Sequence, residues 1–201
     1  MTKSLKLVYG LGVNDLKYRS VKDRKVSREY ETWRCMLKRC TKETWIKRPT
    51  YIGSSCSDNF KNFSYFYEWC NKQKGFCVLD ANNRVWQLDK DILIRGNKVY
   101  SEDTCIFLPH RVNSLLTSCD ASRGELPIGV HLCLKTGKFI SRCNKVNTRV
   151  NLGVYDAPME AFLAYKTFKE SLIKEVANEY KEQLDSRAYA ALMAYQVTEN
   201  N

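Results

Sequence analysis

The chain has 201 residues, 44% hydrophobic and 27% charged, which excludes a disordered segment and suits one ordinary domain or two small ones. Its formal charge of +11 points to a polyanionic partner, of which nucleic acid is the commonest. No stretch approaches the ~20 apolar residues of a membrane span, so a membrane partner is not expected.

The charge is unevenly placed. Residues 1–50 carry 14 Lys/Arg against 5 Asp/Glu, and residues 128–155 carry 5 basic residues and no acidic one. Two basic regions therefore flank a balanced middle. There are nine cysteines, none in a C-x-x-C pair, and Met1 to Gly10 has no sustained apolar core. This combination predicts reduced thiols in a cytoplasmic protein, and structural zinc is not expected.

In chain order, residues 1–27 form a basic arm or strand punctuated by Gly10 and Gly12. Tyr30, Trp33, Met36, Leu37 and Cys40 then recur at helical spacing, with Arg34, Lys38 and Arg39 elsewhere on the wheel. That predicts an amphipathic helix over 28–40. Residues 41–58 read as loop. Phe63, Phe66, Tyr67 and Cys70 predict a second helix over 60–73, ended by Lys74-Gly75. Trp86 to Asn113 holds an acidic pair around a lysine, Asp89-Lys90-Asp91, then a Gly96-Asn97 turn, then Ser101-Glu102-Asp103-Thr104 and the apolar run Cys105–Leu108. Residues 118–127, with Asp120, Ser122, Gly124 and Pro127, read as a linker.

Beyond it, three strand signals appear at 128–134, 138–144 and 149–155. Asp156 is positioned to cap a helix with Pro158 in its first turn and an apolar stripe of Phe162, Tyr165, Phe168, Leu172 and Val176. A final Ala-rich helix is predicted over 186–197. Alternation along the strands points Val130, Leu132, Phe139, Ser141, Cys143, Val150 and Leu152 inward. It points His131, Cys133, Arg142, Asn144, Arg149 and Asn151 outward. Arg binds guanine O6 and N7 bidentately, and Asn pairs with adenine in the same way. Lys135, Lys138 and Lys145 lie in or beside the turns, where phosphates would pass.

Two stretches resemble known families. Asp89, Gly96-Asn97, Ser101–Thr104 and Asn113 follow one another as in the ββα-metal core of HNH endonucleases, with Lys90 where that family has histidine. The resemblance implies that Asp89 and Asn113 hold a divalent cation, Mg²⁺ or another, and that Asn97 orients the turn. Three readings of Lys90 stay open. It is a base with a lowered pKa, since a free lysine titrates near about 10.4. It is a cation that stabilises the transition state, with His110 or a second water path as base. Or the site is decayed and only binds DNA.

The phrases I-G-V at 128–130, G-K-F-I-S-R at 137–142, L-G-V-Y at 152–155 and M-E-A-F-L-A-Y-K at 159–166 resemble the APETALA/ethylene-response-factor DNA-binding domain. That likeness implies that the outward strand residues His131, Lys138, Arg142, Asn144, Lys145, Arg149 and Asn151 meet double-stranded DNA.

The expected fold class is α+β: a ββα-metal HNH-like domain over 1–117, the linker 118–127, a three-stranded antiparallel sheet with a helix over 128–180, and a terminal helix in 181–201. The pairing resembles phage-encoded homing endonucleases, in which one module cuts and the other selects the site. The expected function is site-selective, metal-dependent DNA cleavage, with a non-catalytic DNA-binding or regulatory protein as the alternative.

Overall fold

The structure is a computed structural model that describes residues 6–16, 20–22, 24–117, 125–145 and 148–199. The chain mixes helices with small sheets. It divides into two compact units, 1–110 and 111–201.

The first unit opens with a short antiparallel pair, β1 (Val21–Lys22) and β2 (Lys25–Val26). Helix α1 (Arg28–Arg39) starts where Ser27 Oγ accepts from the Tyr30 amide, with Glu29 and Glu31 in the first turn and Lys38 and Arg39 in the last. This charge order suits the helix dipole at both ends. Trp33, Met36 and Leu37 are its buried face. The expected loop 41–58 instead holds a six-residue helix, α2 (Lys42–Lys47), capped by Thr41 and burying none of its residues, and a 3₁₀ turn at Pro49–Tyr51. With no buried stripe, α2 leaves no apolar period to read in the sequence.

Helix α3 (Phe63–Lys72) follows a 3₁₀ turn at Asn59–Lys61 and buries Phe63, Phe66, Trp69 and Cys70. These aromatics form the core: Trp33 Nε1 donates to the Phe60 carbonyl at 2.7 Å, and Phe60 meets Phe66 edge-on. Gly75 has a φ of +92° and lies against Trp86, where a Cβ would come within 2.6 Å of the indole. Only glycine combines that backbone with that approach.

Strand β4 (Gln87–Asp89) pairs antiparallel with β6 (Ile106–Leu108), not with the segment after the Gly-Asn turn. That segment is β5 (Val99–Tyr100), which pairs parallel with β3 (Ser55–Cys56). The Gly96-Asn97 turn therefore lies in an open loop and joins no hairpin, because both strands beside it take partners from elsewhere in the unit. β6 is buried throughout.

The second unit begins within α4 (His110–Leu116). Residues 118–124 of the expected linker lie outside the described residues. Strands β7 (Val130–Leu132), β8 (Phe139–Lys145) and β9 (Thr148–Tyr155) form an antiparallel sheet in that order. Helix α5 (Pro158–Glu179) packs across it through Ala161, Phe162, Tyr165, Leu172, Ile173, Val176 and Ala177. Val130, Ser141 and Cys143 are the sheet's buried residues.

Leu132 lies opposite Phe139 on the side of Ser141, as its alternation suggests, but it ends the edge strand and is 45% exposed. Asp156 does not cap α5. The N-cap is Ala157, without a side-chain bond, and Asp156 instead pairs with Lys138. Helix α6 (Ser186–Met193) packs on α5. The segment after it is held by Glu170, which accepts from the Val197 amide at 2.8 Å, and Lys166, which donates to the Val197 carbonyl at 2.7 Å. No helix among the described residues is long and apolar enough to cross a membrane.

Candidate ββα centre and nucleic-acid interface

In the first unit, β4 ends at Asp89. Asp89 Oδ1 accepts from the amides of Asp91 at 3.1 Å and Ile92 at 2.9 Å, which turns the chain sharply out of the strand. Enclosure of this carboxyl, and then the Asp91 carboxylate beside it, raises its pKa to about 6.

Lys90 is 5% exposed and points inward. Its Nζ donates to the Asn97 carbonyl at 2.7 Å and to Asp91 Oδ2 at 3.0 Å, and lies 5.7 Å from the centre of the Tyr100 ring. Asn97 replies in kind. Its Nδ2 donates to the carbonyls of Lys90 at 2.6 Å and Val99 at 2.7 Å, and its Oδ1 accepts from the Val99 amide. Asn97 therefore does what a loop-orienting residue does, and Lys90 is its partner. Lys90 Nζ is engaged on a carbonyl, a carboxylate and a ring face.

The two remaining candidates sit close together in sequence. His110 closes the first unit, with Nδ1 buried and without a hydrogen-bond partner. Asn113 belongs to the second unit, partly buried on α4. Among the described residues, no group of three or more His, Cys, Asp or Glu could hold a metal ion. The Asp89–Asp91 pair nevertheless fits a hard divalent cation in donor type. The enclosed Asp89 carboxyl lies beside the exposed Asp91 carboxylate, whose Oδ2 already pairs with Lys90, and Mg²⁺ is often held by one or two carboxylates, with waters and substrate phosphate completing its shell. Asp91 is absent from the sequence-stated ligand set because the resemblance assigned only Asp89 and Asn113. When bound, such an ion would supply charge neutralisation at a scissile phosphate.

In the second unit, β8 and β9 bring together most of the predicted interface. Arg142 lies opposite Asn151, and Asn144 opposite Arg149. His131 lies opposite Ile140 on the neighbouring strand. His131, Asn144, Arg149 and Asn151 are exposed and Arg142 half-buried, against the buried Ser141 and Cys143 that face the other way. Burial first, then the charges of Arg142 and Arg149, hold His131 below the ordinary histidine pKa. The shift favours the neutral ring, which carries one donor and one acceptor. No protein-family model, curated protein or solved structure matches this chain.

The lysines differ from the arginines. Lys138 pairs with Asp156 at 3.0 Å and Lys145 with Glu175 at 2.9 Å, both in exposed ion pairs. Among the described residues, Arg142 and Arg149 have no carboxylate partner. Sequence reasoning also left out two residues on this face, Ile140 and Val154, which lie directly opposite each other. The same alternation that gives Arg142 and Asn144 also gives Ile140.

Proposed function

We propose that this protein binds duplex DNA site-selectively through the outer face of β7–β9, and that its first unit carries a metal-dependent phosphodiesterase centre at Asp89, making the whole a DNA endonuclease of the HNH type. One observation carries the reading. The sheet presents Arg142, Asn144, Arg149, Asn151 and His131 on one face, and the stretch 128–155 contains no acidic residue. Guanidinium and amide groups side by side are the groups that read guanine and adenine in the major groove. An ordinary wet face mixes both signs of charge.

In this division, the second unit supplies selection. The first holds an ion at Asp89 and Asp91, with His110 as a further candidate for the reacting centre. Lys90 locks the loop that positions Asp89, and its charge lies beside the ion-binding corner. The protein works in the cytoplasm, where its thiols stay reduced; eight described cysteines are free, and Cys119 lies outside the described residues.

A second reading follows from Lys90. Where the HNH family has its histidine, this chain has an ammonium engaged within the fold, which favours a protein that binds DNA without cutting it. Plasmid nicking with Mg²⁺ or Mn²⁺, run beside a gel-shift titration, separates the two. The endonuclease reading expects metal-dependent nicking that falls at least about a hundredfold in Asp89→Ala, with DNA affinity within about twofold of wild type, since another surface supplies it. Binding without nicking of any genomic library, with either metal, leaves the binding-only reading standing.

A further inference from the structure

The outer face of the β7–β9 sheet is not uniform. β8 and β9 change register between Ser141 and Arg142, and the residues differ on the two sides of that irregularity. On one side the cross-strand pairs are Arg142–Asn151 and Asn144–Arg149, wholly polar. On the other runs a single row, His131–Ile140–Val154. Opposed residues of antiparallel strands share a face, as do residues two apart in one strand. Ile140 and Arg142 therefore project to the same side, away from Ser141 and Cys143, which are 0% and 2% exposed. Val154 is 54% exposed.

We propose that Ile140 and Val154 are specificity-determining residues that contact thymine C5-methyl groups in the major groove, next to the bases met by the Arg and Asn pairs. This rests on the DNA-binding reading above. Charge complementarity selects the occupant: the apolar pair lies in a stretch, 128–155, without acidic residues, the flanking Asp156 is paired with Lys138, and Arg142 and Arg149 lack carboxylate partners among the described residues. Thymine is the one base that offers an apolar group in the major groove. Neighbouring rows on a strand are about 7 Å apart, close to two base-pair steps of about 3.4 Å each. The thymines should therefore lie about two base pairs from the position read by Arg142 and Asn151 when the strands follow the groove.

The test uses the full-length protein. A duplex selected by the wild type from a random library is resynthesised with deoxyuridine replacing each thymidine in turn, which removes the methyl and nothing else. Affinity should fall about fourfold at one or two positions, the value of one buried methyl. The Ile140→Ser/Val154→Ser variant, checked for folding by circular dichroism, should bind the thymine and uracil duplexes alike. Wild-type protein that binds both duplexes equally at every position overturns the inference, whatever the variant does. Wild-type protein that binds no duplex even at low salt is a different failure: it removes the DNA-binding reading, and this inference with it.

Discussion

The corner around Asp89 and the sheet face both hold residues of chemical promise, but they engage them differently. Around Asp89, nearly every polar group already has a partner inside the unit: Asp89 holds two amides, Lys90 holds a carbonyl and a carboxylate, and Asn97 bonds three backbone groups. On β7–β9 the arginines and asparagines point outward from a sheet whose inner side is closed by α5. The first arrangement is stiff and internally satisfied, which suits a positioned centre. The second, among the described residues, leaves Arg142 and Arg149 without carboxylate partners, while Asn151 Oδ1 accepts from the Gly153 amide at 3.4 Å; outward guanidinium groups suit recognition of another molecule. Residue type alone does not separate these cases; the partners do.

The sharpest way to break this contrast is to exchange the roles of a buried cation and an exposed one. Lys90→Met should lower unfolding stability by about 2–3 kcal/mol in urea titration, because it removes charge-assisted bonds to a carbonyl and a carboxylate in a buried setting. Arg149→Ala should leave stability within about 0.5 kcal/mol, as exposed positions do. If Lys90→Met is as stable as wild type, the locked-loop account of the first unit is wrong.

A smaller effect sharpens the same contrast through pH. Asp89 has its native pKa raised to about 6 by enclosure and by Asp91. The native state therefore keeps a proton that the unfolded chain has released, and stability falls as pH rises from about 4 through about 6. Asp89→Asn keeps the oxygen that accepts the two amides but removes the charge. In metal-free buffer it should be about 1–2 kcal/mol more stable than wild type at pH 8, after allowance for the partial exposure of the group. The difference should vanish near pH 4. A stability difference independent of pH would show that the carboxyl is not enclosed as described.

Much of this fold was legible in the sequence, and the reasons are local. The Trp33–Met36–Leu37 period gave α1, and the strand signals at 138–144 and 149–155 gave β8 and β9 to within a residue at each end. What was not legible depends on partners distant in sequence. The pairing of β4 with β6 and of β3 with β5 joins segments separated by other elements, and no local pattern announces it. Asp156 looked like a cap because Asp often is one, but an ion pair with Lys138 took its side chain. At the candidate site, Asn97 was readable as a turn residue. The burial of Lys90 was not, since its anchor is a backbone carbonyl seven residues away across an open loop. Leu132 reads as inward-facing, and its exposure at the end of the edge strand was not legible.

The most direct test of the central claim is a binding titration of the Arg142→Ala/Arg149→Ala variant against wild type, on a selected duplex and on a scrambled one, at several salt concentrations. If the sheet face reads bases, the variant should lose about 1–3 kcal/mol per arginine on the selected duplex, and the preference over the scrambled one should collapse. Lys138→Ala and Lys145→Ala, whose side chains already have acidic partners, should weaken both duplexes equally and by less. Equal losses on selected and scrambled duplexes for the arginine variant, or no loss on either, would contradict the assignment of this face as the reader of the site.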